Sequence, residues 1–237
     1  MTAVVFRLGV RSLMRGRRPL VVAALALIPV VAAVGQRVGG EVDPVDAFAA
    51  LLGDLLIPTV TAFVAVILAA SSIGEDREDG TILQLVATMV PRSRLALAKI
   101  LASWATALAV LLPATLATAA VALGGDVGLA ALAWPLLAVA LTALAYASAF
   151  VWVALLTRRA ILVGAVYVLL WEGTLGTFAD GIDRLSVAAY GRAVAARGVD
   201  GVDAPPVSAT VGVLVLVGVA VAGWVLAARA LDRTELP

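Results

Sequence analysis

The chain has 237 residues, 63% hydrophobic and 14% charged, with a net charge of +1 and a mean hydropathy of +1.09. A soluble domain is roughly 45–50% apolar and about 25% charged, so this composition marks an integral membrane protein, and its charge balance argues for neither nucleic acid nor an acidic partner. Cysteine and histidine are both absent, which excludes disulfides, thiolate chemistry, zinc or haem ligation and every Ser/His or Cys/His nucleophile.

Arg7, Arg11, Arg15 and Arg18 recur at i, i+4 spacing, with Val5, Phe6 and Leu13 toward the opposite side. This predicts an amphipathic helix over residues 1–18 lying on the membrane surface. Two other readings stay open: a basic flank that orients the first span, and a cleavable signal peptide with Ala33-Val34-Gly35 as its cleavage region. The length of the basic region, and the dependence of five later spans on the first one's orientation, weigh against the signal peptide.

The first span is read from Leu20 to Val34, after Pro19 and with Pro29 as a kink. A small acidic connection, Arg37 to Asp46, leads to span two at Phe48 to Ile73, with Pro58 inside it and Asp54 near its outer end. Span three, Leu95 to Leu123, exceeds the ~20 residues that a ~30 Å hydrocarbon core requires and is expected to project into the cytoplasm. Gly124-Gly125-Asp126 makes an outer turn, Leu129 to Leu156 forms span four, and Thr157-Arg158-Arg159 makes an inner turn. Span five starts at Ile161 and span six covers Val207 to Ala228. The predicted fold is all-α: one polytopic membrane domain over residues 1–237 with six transmembrane helices.

With the N-terminus inside, 13 of the 17 basic residues fall on inner segments, leaving only Arg37, Arg184, Arg192 and Arg197 outside. That asymmetry predicts both termini in the cytoplasm. A lipid-exposed charge at mid-membrane costs roughly 2.5–3.5 kcal/mol, and Glu172 is the residue at odds with this. Counted from Ile161 at ~1.5 Å per residue it stands about 16 Å up, near mid-core. Either it belongs to a translocation path or gate, or Gly173 and Gly176 break the helix early and Glu172 accepts local hydrogen bonds. Both readings keep it away from lipid. Residues 173–206 are predicted extracytoplasmic, with a short helix from Leu185 to Val194 on the outer interface and a turn from Gly198 to Pro206.

The longest polar interruption built for contact is Gly74 to Lys99, GEDREDGTILQLVATMVPRSRLALAK. Glu75, Asp76, Glu78 and Asp79 surround Arg77, Gly80-Thr81 opens a short apolar helix from Ile82 to Met89 with Asp79 as N-cap, and Pro91 ends it. Ile82, Leu85 and Val86 share one face, an apolar face that a cytosolic helix exposes only where protein covers it. The acidic residues pair either with basic groups of a partner or with Arg92 and Arg94 of the same loop.

This order of acidic cluster, Gly-Thr, short helix, Pro-x-Ser-Arg and following lysine resembles the cytoplasmic coupling segment of ABC-2 type transporter permeases. The match is carried by Glu75, Glu78, Gly80, Thr81, Leu85, Pro91, Ser93, Arg94 and Lys99. Many members have a hydrophobic residue where this chain has Arg92. The resemblance implies a permease subunit of an ATP-driven exporter in the cell membrane, paired with a second copy of itself, with the N-terminal helix beside the ATPase. It implies no enzyme activity, cofactor or metal in this chain. ATP and Mg belong to separate ATPase (nucleotide-binding) subunits, in keeping with the absence of a G-x-x-x-x-G-K-[ST] loop. Contact with the ATPase falls to residues 74–94, through Glu75, Glu78, Gly80, Thr81, Ile82, Leu85, Val86, Pro91 and Arg94. Spans two and five usually face the dimer axis in this family, which makes Thr59, Phe63, Tyr167 and Trp171, together with Glu172, candidates for the pathway or its gate. The outer region after span five is implied to dip toward the membrane and cap that pathway.

Two other classes remain open. One is a membrane scaffold or assembly factor without transport. The other is an ion-coupled carrier, which should bury several ionisable groups where only Glu172, and marginally Asp54, qualify here.

Overall fold

The computed structural model describes residues 6–7, 9–10, 13, 18–40, 42–78, 91–124, 131–175 and 186–233, with side chains for all of these except 75–78, 172–175 and 233. The fold is all-helical, without strands among the described residues. In chain order the elements are α1 (Arg18–Gly39), α2 (Pro44–Ala50), the π-helical π1 (Leu51–Val60), α3 (Thr61–Glu78), α4 (Arg92–Leu123), α5 (Ala133–Leu156), α6 (Ala160–Tyr167), the π-helical π2 (Val168–Leu175), α7 (Val187–Ala195) and α8 (Ala209–Arg233). Of the N-terminal segment, Phe6, Arg7, Gly9, Val10 and Leu13 are helical, Leu13 is buried and Arg7 exposed. The rest of the predicted interfacial helix lies outside the described residues.

Five stretches are long and apolar enough to cross a bilayer: Arg18–Gly39, Pro44–Gly74, Arg92–Leu123, Ala133–Leu156 and Ala209–Asp232. They coincide with predicted spans one, two, three, four and six: the first three run a few residues longer than read from sequence, the fourth starts four residues later, at Ala133, and the last is shifted toward the C-terminus. The 32 residues of α4 extend about 48 Å, well beyond a ~30 Å core. Of predicted span five, the apolar helix Ala160–Trp171 continues through π2 to Leu175, the last residue described before 186, and these 16 residues reach about 24 Å.

α3 with π1 and α5 form the centre of the bundle, while α1 and α8 turn most of their surface outward. Outward-facing Leu20, Leu27, Val31, Leu214 and Val221 give these two helices an apolar exterior, as lipid contact requires. Two apolar clusters fill the interior. One gathers Phe48, Leu52, Leu56 and Ile57 with Leu111, Val139 and Val194. The other gathers Val66, Ile100, Tyr146, Phe150 and Val151.

Small residues set the helix spacing. α8 packs most extensively on α5, where a Cβ on Gly223 would fall 2.7 Å from Ser148 Oγ and 2.8 Å from its backbone carbon. Without hydrophobic drive between helices in lipid, such close backbone approach supplies the packing energy. At the C-terminal end of α4, Gly124 closes the helix in the left-handed conformation, φ 85°. Arg37 Nη1 donates to the Val121 carbonyl at 2.7 Å, placing a cation on the negative end of that helix.

The predicted short helix at Leu185 to Val194 forms as α7, Val187–Ala195, and it is packed within the bundle. Ala188, Ala189, Ala193, Val194 and Ala195 are all buried. α7 lies among π1, α5 and α8, because a face of alanine and glycine lets three backbones close around it.

Candidate functional site

Pro58 has no N–H to give and interrupts the ordinary i−4 ladder of span two. The wider i−5 register of π1 accommodates it: the Thr61 N–H reaches the Leu56 carbonyl. The buried Thr61 hydroxyl donates to the same carbonyl at 2.8 Å. Such wide-turn stretches are rare and recur at functional sites. Here two of them, π1 and π2, pack side by side. π1 carries Asp54, exposed, and π2 carries Glu172, whose backbone alone is described. The two spans suspected of carrying acidic groups thus meet where both leave regular α geometry.

α7 closes this region from the other side. A Cβ on Gly191 would fall 2.3 Å from Thr142 Oγ1 and 2.9 Å from Ile57 Cγ2, so α7 touches α5 and π1 at one point. One on Gly212 would fall 2.9 Å from the Tyr190 carbonyl, which fixes α8 against α7. Gly198, past the end of α7, sits against Trp134 near the start of α5. Gly191 meets Thr142 about 12 Å further along α5, so α7 runs antiparallel to α5 with its N-terminus deepest. Ser186, 4% exposed, caps that end by accepting from the Ala189 N–H at 3.1 Å. Past the C-terminal end of α7 the Arg197 guanidinium lies 5.0 Å over the Trp134 ring, a cation–π contact.

Thr59, Phe63, Tyr167 and Trp171 are all half-buried, on π1, α3, α6 and π2 respectively. Phe63 and Tyr167 pack against the second apolar cluster; Thr59 and Trp171 are not part of it. Within that cluster Tyr146 stacks on Phe150 with centroids 5.9 Å apart, and Phe150 meets Tyr167 edge-on at 5.9 Å. This aromatic column joins spans four and five beside π2. Packing between helices, the bland account of aromatic residues in spans, therefore describes Phe63 and Tyr167 as they stand.

The residues expected to contact an ATPase divide between described and undescribed parts of the chain. The backbones of Glu75 and Glu78 prolong α3 beyond the expected end of span two. Asp79, Gly80, Thr81, Ile82, Leu85 and Val86 lie outside the described residues. Pro91, exposed and extended at φ −54° and ψ 130°, precedes α4, and Arg94 is exposed in its first turn.

The flanks of this segment are tied to the bundle in ways the sequence did not disclose. Arg92 Nη1 donates to the Leu231 carbonyl at 3.1 Å and the Asp232 carbonyl at 2.8 Å, with the Asp232 carboxylate 3.4 Å away. This arginine caps the C-terminal end of α8. Trp224 Nε1 donates to the Ser93 carbonyl at 2.8 Å. Lys99, 8% exposed, donates from Nζ to the Ser72 carbonyl at 3.0 Å. The sole lysine thus bridges α4 and α3, a hint available from its place inside an apolar run. No protein-family model matches the chain, and no curated protein is significantly similar to it.

Proposed function

We propose that the chain is the membrane-spanning permease subunit of an ATP-driven exporter, with six spans in the cell membrane and both termini in the cytoplasm. It pairs with a second copy of itself and with two separate ATPase subunits that bind ATP and Mg. The motif at Gly74 to Lys99 is the cytosolic handle, and ATP-driven closure of the ATPases moves it. What supports this reading is the cross-tying of both ends of that segment. α3 and α4 emerge from it bound to each other through Lys99 and Ser72, and α4 is bound to α8 through Arg92 and Trp224. A load applied between residues 75 and 90 therefore falls on three helices at once. α3 runs directly into π1, beside π2 and α7, so the load reaches the region that carries Asp54 and Glu172.

The test is affinity purification of the tagged chain from its native membrane, followed by identification of co-purifying proteins. A Walker-type ATPase is expected at equal stoichiometry, and lost from a Glu78→Lys/Leu85→Asp double variant that still inserts. Purification without any ATPase, or retention of it by the double variant, overturns this assignment. A stable partner that hydrolyses nothing would favour the scaffold.

A further inference from the structure

At the end of the bundle opposite α7, a cleft of about 910 Å³ opens between α3, the end of α5 and the start of α6. Its lining includes three arginines, Arg18, Arg158 and Arg159, with Ser71 and Thr157. Arg158 and Arg159 are exposed on the tight turn between α5 and α6, and neither has an ion-pair partner among the described residues. The turn is held in shape by the Thr157 N–H donating to the Val153 carbonyl at 3.0 Å and the Arg159 N–H donating to Thr157 Oγ1 at 3.1 Å. The guanidinium groups are therefore carried on a fixed backbone. α6 begins in the same wall, so the positive end of its dipole adds to theirs. An apolar track leads out of the cleft along α6 and π2, where Ile161, Leu162, Val166, Leu169 and Leu170 are 48–60% exposed.

We infer that this cleft binds the phosphate headgroup of an anionic phospholipid whose acyl chains lie along that track. Guanidinium forks match phosphate oxygens in bidentate geometry, and basic pockets between spans recognise anionic headgroups. A free phosphate would satisfy the arginines equally, but would leave the adjoining apolar track without a role. The inference needs the chain to sit in a bilayer and does not depend on transport.

The experiment uses the full-length chain purified in a neutral detergent and loaded with defined lipids. Dioleoylphosphatidylglycerol is compared with dioleoylphosphatidylcholine and with inorganic phosphate, using native mass spectrometry for retained lipid and thermal unfolding for stabilisation. Phosphatidylglycerol is expected to stay bound and raise the unfolding midpoint, phosphatidylcholine to do neither, and the effect to weaken as salt rises. Arg158→Gln/Arg159→Gln should weaken retention roughly ten- to thirtyfold, with Arg229→Gln, an exposed arginine outside the cleft, leaving it unchanged. Equal retention of both lipids by the unaltered chain overturns the inference whatever the variants do. Saturation by inorganic phosphate alone, or unchanged retention in the double variant, overturns it as well.

Discussion

Gly223 offers the sharpest quantitative test of the bundle, because Gly218 five residues earlier on the same helix supplies its control. An alanine Cβ at Gly223 would lie 2.7 Å from Ser148 Oγ, 2.8 Å from its backbone carbon and 2.9 Å from its Cβ, whereas one at Gly218 meets nothing within 4 Å. Ordinary carbon contacts stand at about 3.5–4.0 Å, so Gly223→Ala requires α8 to withdraw from α5 by close to an ångström. A backbone atom is among the obstructions, and rotamer changes in Ser148 cannot relieve it. Overpacking of this kind costs typically 1–3 kcal/mol, while Gly→Ala within a helix contributes up to about 1 kcal/mol in the opposite sense. Gly218→Ala should therefore be neutral or slightly stabilising, and Gly223→Ala destabilising relative to it by about 1–3 kcal/mol. At about 2–4 °C per kcal/mol for a chain of this size, the two variants should differ by roughly 2–12 °C in thermal unfolding in lipid nanodiscs. Coincident midpoints would refute the close α5–α8 approach, and with it the placement of α7 against both.

Three further outcomes are expected. Trp224→Phe keeps the ring and removes its bond to the Ser93 carbonyl, and should cost about 0.5–1.5 kcal/mol in the same unfolding assay; no loss would mean that this tie carries no load. Arg92→Ala removes the cap on α8 and should speed proteolysis at the C-terminal end of that helix, which an unchanged cleavage pattern would contradict. Glu172→Gln should change export or the ATPase rate of the assembled complex, measured in proteoliposomes. Export equal to the parent's would remove Glu172 from the pathway.

The spans were legible because a bilayer demands long apolar helices and little else, and the reading of Leu95 to Leu123 differs from α4 by only three residues at one end. Position within the bundle was far less legible. α7 reads from sequence as an interfacial helix, a place that suits Tyr190, but the sequence did not disclose that its alanines and Gly191 let three neighbours close on it. A run of small residues between two glycines was the available signal. The π-helical stretches have no periodicity of their own, and only Pro58 and the threonine three residues later marked the first of them. Arg92 looked like a blemish in a motif because its partners lie about 140 residues away in sequence, a distance over which local patterning carries no information. The acidic and apolar positions from Asp79 to Val86 remain expectations resting on the motif.

The burial of α7 also bears on how the molecule is made. Nine residues span about 13 Å, too short to enter a bilayer unaided, and one wall of the slot, α8, follows α7 in the chain. The slot lacks a wall until α8 is in place, so the seating of α7 is completed only once α8 has joined the bundle. A chain truncated before Ala209 should accordingly leave Ser186→Cys open to a water-soluble thiol reagent that the complete chain excludes, and equal labelling of the two would show that α7 finds its slot without α8.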